Sequence, residues 1–147
     1  MAFFLPGTYD LFLTHAWNYT DEWQEVVALL DARVPGKWRN WSLPWHDTSI
    51  DRHSEDGKAQ LEQLLHGHIS MTSAVLLLPG TGDRAEGRMW LERELALAAQ
   101  YGKPVIGVLQ AGQARFPADL AGRVVAVVAR DAAAILAEVD RRLRSPA

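Results

Sequence analysis

Short, nearly unbroken apolar runs punctuate this 147-residue chain, and most are followed by a stretch long enough for a helix. Tyr9–Thr14, Ala74–Leu78, Pro104–Leu109 and Arg123–Val128 read as strands, and Trp41-Ser42-Leu43, stopped by Pro44, reads as a fifth, shorter one. A strand with one wet face alternates apolar and polar residues. These runs hardly alternate, so the sheet they form is parallel and covered on both faces. Helical spacing over Glu22–Ala32, Gly57–His68, Arg88–Tyr101 and Ala132–Arg144 supplies the covering layers, while residues 45–56 are polar and irregular and read as a loop. Right-handed crossovers make the expected architecture a doubly wound α/β sandwich in a single domain over residues 1–147.

Composition removes several function classes. A net charge of −3 carries no basic footprint for nucleic acid, and the absence of cysteine excludes disulfides, thiol nucleophiles and Cys-based metal sites. The longest apolar runs fall far short of the ~20 residues that span a bilayer. Met1–Pro6 has no cationic leader. The expectation is a cytoplasmic domain that binds neither nucleic acid nor membrane.

In doubly wound sheets a ligand sits beyond the carboxyl ends of the strands. Here those ends are Thr14–Trp17, Pro44–Asp47, Pro79–Asp83 and Gln110–Gly112. Gly80-Thr81-Gly82 superficially matches a dinucleotide loop, but it belongs to the third βα unit and no acidic residue ends the next strand, so a glycine-tolerant turn is the better reading. His66 and His68 lack a third ligand and suit a helix C-terminus, so no metal is expected. Five of the six tryptophans lie within residues 17–45. Trp23 belongs to a helix's apolar face, whereas Trp38, Trp41 and Trp45 divide between packing, a ligand pocket and a partner surface.

The segment Trp90-Leu-Glu92-Arg-Glu94-Leu is the most informative. Leu91, Leu95 and Ala98 define a core stripe with Trp90 and Glu94 on one flank and Glu92 on the other. A carboxylate beside an indole at a core boundary suits a cationic ligand, yet periodicity alone favours a solvated glutamate and does not choose between Glu92 and Glu94.

Four segments in order, Tyr9-Asp-Leu-Phe-Leu-Thr-His15, Ser73–Gly80, Trp90-x-x-x-Glu94-Leu95 and Gly102–Val108, resemble a TIR domain, and more narrowly the TIR-like proteins of Thoeris antiphage defence. The resemblance covers about residues 8–144 and implies a flavodoxin-like parallel sheet of five strands. It further implies cleavage of the nicotinamide–ribose bond of NAD, with NAD as substrate and no separate cofactor. The product would be an ADP-ribose-derived signal, cyclic or conjugated, read by a separate effector protein. By the same match Glu94 is the catalytic carboxylate, with Thr14, His15, Trp45, Asp47 and Trp90 about the substrate. Thr14 stands where a serine is commoner, which keeps the hydroxyl. Self-association is expected, since TIR sites often draw on a neighbouring copy. Two other functions fit the same residues: a non-catalytic TIR interaction module, and a nucleoside deoxyribosyltransferase-like enzyme with a glutamate at the anomeric carbon.

Overall fold

Four of the apolar runs and a short edge strand pair into one five-stranded sheet in which every pairing is parallel. The computed structural model describes residues 8–14, 21–42, 50–51, 53–82 and 85–144. In chain order these form β1 (Tyr9–Leu13), α1 (Asp21–Arg33), β2 (Trp38–Asn40), α2 (Glu55–Met71), β3 (Ala74–Leu77), α3 (Ala85–Gln100), β4 (Val105–Val108), α4 (Ala118–Ala121), β5 (Ala126–Val128) and α5 (Ala132–Arg144). The strand order is β2-β1-β3-β4-β5, the flavodoxin-like arrangement, and the chain reverses direction across the sheet between β1 and β3.

Alternate residues of each strand enter opposite layers, as the pleat requires. Phe12, Val75, Leu77 and Val105 pack with α2 and α3 through Leu65 and Leu91. Leu11, Leu13, Leu76 and Ile106 pack with α1 and α5 through Leu30 and Ile135. Two separate apolar layers thus enclose the sheet, which is why its central strands tolerate no polar alternation.

The second strand lies three residues earlier than its hydrophobicity suggests. Trp38, Arg39 and Asn40 pair with Tyr9, Asp10 and Leu11, while Trp41 and Ser42 lie outside the strand. An edge strand needs little burial, and a buried charge selects this register instead. Asp10, 1% exposed, accepts from Arg39 Nε at 2.5 Å, Arg39 Nη2 at 2.9 Å and Trp41 Nε1 at 2.9 Å. Two further indoles have similar partners, Trp38 donating to Asp31 and Trp23 to Ser42, and all three half-buried tryptophans pack against the core. Two short elements have no counterpart in the hydrophobic pattern: α4 and a 3-10 turn over Pro79–Gly82. No described helix is long and apolar enough to cross a membrane.

The Asp10–Arg39 pair is asymmetric, since the Arg39 side chain is 46% exposed and that of Asp10 only 2%. Removing the arginine strands a buried carboxylate on one indole donor, whereas neutralising the aspartate lets the arginine return to water. Arg39→Ala is therefore expected to lower the melting temperature more than Asp10→Asn does. The opposite order in thermal unfolding at neutral pH would disprove this account of the pair.

Candidate active site

Helix α3 carries a carboxylate where a helix of this kind carries leucine. At ~100° per residue, Trp90 and Leu97 lie to one side of Glu94, and Leu91, Ala98 and Leu95 to the other. All five are buried, so Glu94 falls near the middle of the inward arc rather than on its flank. This corrects the expectation of a solvated glutamate. Leu97, absent from the stripe drawn through Leu91, Leu95 and Ala98, widens the buried face until it includes position 94.

Glu94 is 1% exposed, and its Oε2 has no hydrogen-bond partner among the described residues. Burial pushes its carboxyl well above the usual range, because the charged form has lost its water and no cation among the described residues compensates. Such a group is costly to keep and is commonly found where a ligand supplies the missing partner. Trp90, 6% exposed, sits one turn earlier on the same face.

Glu92 has the opposite surroundings. It accepts from Arg123 Nη1 at 2.6 Å and from Arg88 Nε at 3.0 Å, and these partners, Arg123 foremost, hold its carboxyl below the usual range. The environment thus separates two glutamates that spacing leaves equivalent. Glu92 braces the surface, and Glu94 is the chemically unusual one.

Thr14 directly follows β1, at the point where the chain's direction across the sheet reverses. It is fully buried, and its Oγ1 accepts from Leu78 N at 2.9 Å, joining the carboxyl ends of β1 and β3. His15, Trp45 and Asp47, also expected near the substrate, lie outside the described residues. The glycine turn after β3 uses its first glycine amide within the protein. Gly80 N donates to Glu22 Oε1 at 2.9 Å, so the amide that might meet a phosphate already holds an internal carboxylate. His66 and His68 do not converge either. The Nδ1 of His66 lies 2.7 Å from the Tyr101 hydroxyl, and that of His68 lies 2.6 Å from the Trp41 carbonyl oxygen. Among the described residues no three potential ligands gather as a metal site.

Sequence reasoning missed Glu22 and Arg130. Arg130 Nη2 donates to Glu22 at 3.0 Å, and its Nε donates to the Leu109 carbonyl at 3.2 Å. The partners stand 108 residues apart, and only their places at element ends facing the carboxyl edge hinted at a meeting.

A family model described as Thoeris protein ThsB, TIR-like domain, matches residues 12–115. That span runs from β1 past β4 and includes α3 with Trp90 and Glu94. No curated protein matches the chain.

Proposed function

The chain belongs to the TIR-like domain family of the Thoeris protein ThsB, and from that premise we propose that it cleaves the nicotinamide–ribose bond of NAD, with Glu94 as the catalytic carboxylate. The family places it in antiphage defence. The observation that carries the reading is the buried Glu94 carboxyl with an unpartnered oxygen on the inner face of α3.

In the reaction the ribose C1′–nitrogen bond breaks, and its electron pair stays with nicotinamide, neutralising the pyridinium. The ribose is left with oxocarbenium character. An anion fixed close to that carbon stabilises it more than it stabilises the ground state, as carboxylates do in glycoside hydrolysis. Burial raises the Glu94 carboxyl in the free protein; the cationic nicotinamide ribose opposes that shift and favours the carboxylate as it binds, any proton released passing to solvent. Trp90 walls the carboxylate from water, and Thr14 shapes the floor by holding β1 to β3. His15, Trp45 and Asp47 complete the substrate's surroundings. Water adding at C1′, with loss of a proton, gives ADP-ribose; a nucleophile of the same molecule gives a cyclic product, and another held molecule gives a conjugate. The latter two suit a signal that a separate effector reads, and self-association would raise turnover at high protein concentration.

The test is mass spectrometry of the small molecules formed when purified protein meets NAD, at low and high protein concentration. Nicotinamide release that disappears in Glu94→Gln is the expected result, and the mass of the second product identifies the nucleophile. Deoxynucleoside turnover without NAD turnover would replace the proposal with a deoxyribosyltransferase. No release, even in lysate of phage-infected cells, would replace it with an interaction module.

A further inference from the structure

On the α1/α5 side of the sheet, at its carboxyl edge, one guanidinium joins three elements. Arg130, just after β5, has a side chain only 11% exposed. It reaches the Leu109 carbonyl at the end of β4, Glu22 Oε2 in the first turn of α1 at 3.0 Å, and Glu25 Oε2 at 2.6 Å. The other oxygen of Glu22 accepts the Gly80 amide at 2.9 Å. Gly80 is the second residue of the turn by which the chain leaves β3 for α3, and α3 itself packs against that turn. A Cβ on Gly80 would stand 2.8 Å from Glu22 Oε1, so the glycine allows the carboxylate its close approach.

We propose that Glu22, oriented by Arg130, is a positioning residue: it clamps the Pro79–Gly82 turn to the sheet edge and so sets the seat of α3 and of Glu94. Two features separate this from an ordinary surface ion pair. Glu22 is 9% exposed, so its charge is little screened, and each of its oxygens has its own donor, one of them a backbone amide. The helix transmits the constraint. About nine residues at ~1.5 Å each separate its start from Glu94, too short a span to bend appreciably. A misplacement of ~1 Å at a reacting centre can cost about 100-fold in rate.

The experiment compares Glu22→Ala, Glu22→Gln and Glu25→Ala by two measurements. Hydrogen exchange by NMR reads the Gly80 amide, and a carbon-detected NMR titration reads the Glu94 carboxyl. In Glu22→Ala the Gly80 amide is expected to exchange faster, and the Glu94 midpoint to move down toward the ordinary carboxylate range as water reaches a loosened helix. Glu22→Gln keeps an acceptor for Gly80 and recovers most of both signals. Glu25→Ala removes the exposed partner of the same arginine and changes neither. Should Glu22→Ala fail to fold, Arg130→Gln carries the same comparison. Faster Gly80 exchange with an unmoved Glu94 midpoint overturns the positioning role, and unchanged Gly80 exchange overturns the clamp itself. A turnover arm rests on the NAD reading: kcat falls by about 10-fold to 100-fold with KM nearly constant. If the parent protein cleaves no NAD, that reading fails alone, and the titration still judges the clamp.

Discussion

If the chain cleaves NAD as proposed, Glu94→Gln is expected to lower its turnover by about 100-fold or more while raising the melting temperature at neutral pH. The first effect follows from charge. Glutamine fills the same volume but presents no anion to the ribosyl cation, and losing one fixed electrostatic group of this kind costs ~100-fold to 1,000-fold in rate. The second follows from linkage. The folded-state pKa of Glu94 is raised above the unfolded one, so the unfolded chain releases this proton at lower pH than the folded protein does. Below the ordinary carboxylate range both states are protonated and nothing is lost. As pH rises from there toward the raised folded value, stability falls. The stabilisation in Glu94→Gln is accordingly present at pH 7–8 and gone near about pH 4. On the NAD reading, the same shift is expected to move the acidic limb of kcat/KM upward, because the proposed reacting form is the carboxylate. Glu92→Gln is the control: it keeps turnover and, having lost its charge to Arg88 and Arg123, gains no stability. Full turnover in Glu94→Gln, or a melting temperature lowered equally at both pH values, would defeat the assignment.

That Glu94 could be named but not correctly placed shows where sequence reading stops. Its identity came from the spacing Trp90-x-x-x-Glu94 within a family resemblance. Its burial depends on Leu97 also facing inward, which follows only once α2 and the sheet cover a wider arc of α3 than three leucine-spaced positions define. The central strands were legible because two buried faces demand continuous apolar residues. The edge strand β2 was not, since its register answers to a single buried Asp10 and its guanidinium partner, a pairing that hydrophobicity cannot register. Glu22 and Arg130 were illegible for a related reason. Each is an ordinary charged residue near an element end, and its use depends on a contact between chain segments far apart in sequence.

Gly57→Ala, a change that ordinarily strengthens a helix, is expected to destabilise this protein by about 1–3 kcal/mol. Gly57 is buried in the first turn of α2, where its amide donates to Oγ of the N-cap Ser54 at 2.9 Å. A Cβ built there overlaps the backbone carbonyl of Asp51, and Ser54 depends on that same carbonyl, donating to it through N at 3.2 Å and Oγ at 3.0 Å. Backbone cannot swing aside as a side-chain tip can, so the turn over residues 51–54 must move and the cap is lost with it. Better helix propensity returns ~1 kcal/mol; the cap costs about as much, and overpacking another ~1–3 kcal/mol, so the balance is unfavourable. Gly67, on the exposed side of the same helix, has nothing within 4 Å of its Cβ position. Gly67→Ala should therefore stabilise, and opposite signs for the two substitutions in urea unfolding are the result to look for. Equal effects would mean the Asp51 carbonyl yields freely. The displaced turn follows closely on residues 43–49, which contain Trp45 and Asp47. If those two face NAD as proposed, Gly57→Ala raises KM while leaving kcat nearly intact, the converse of the pattern expected for Glu22→Ala.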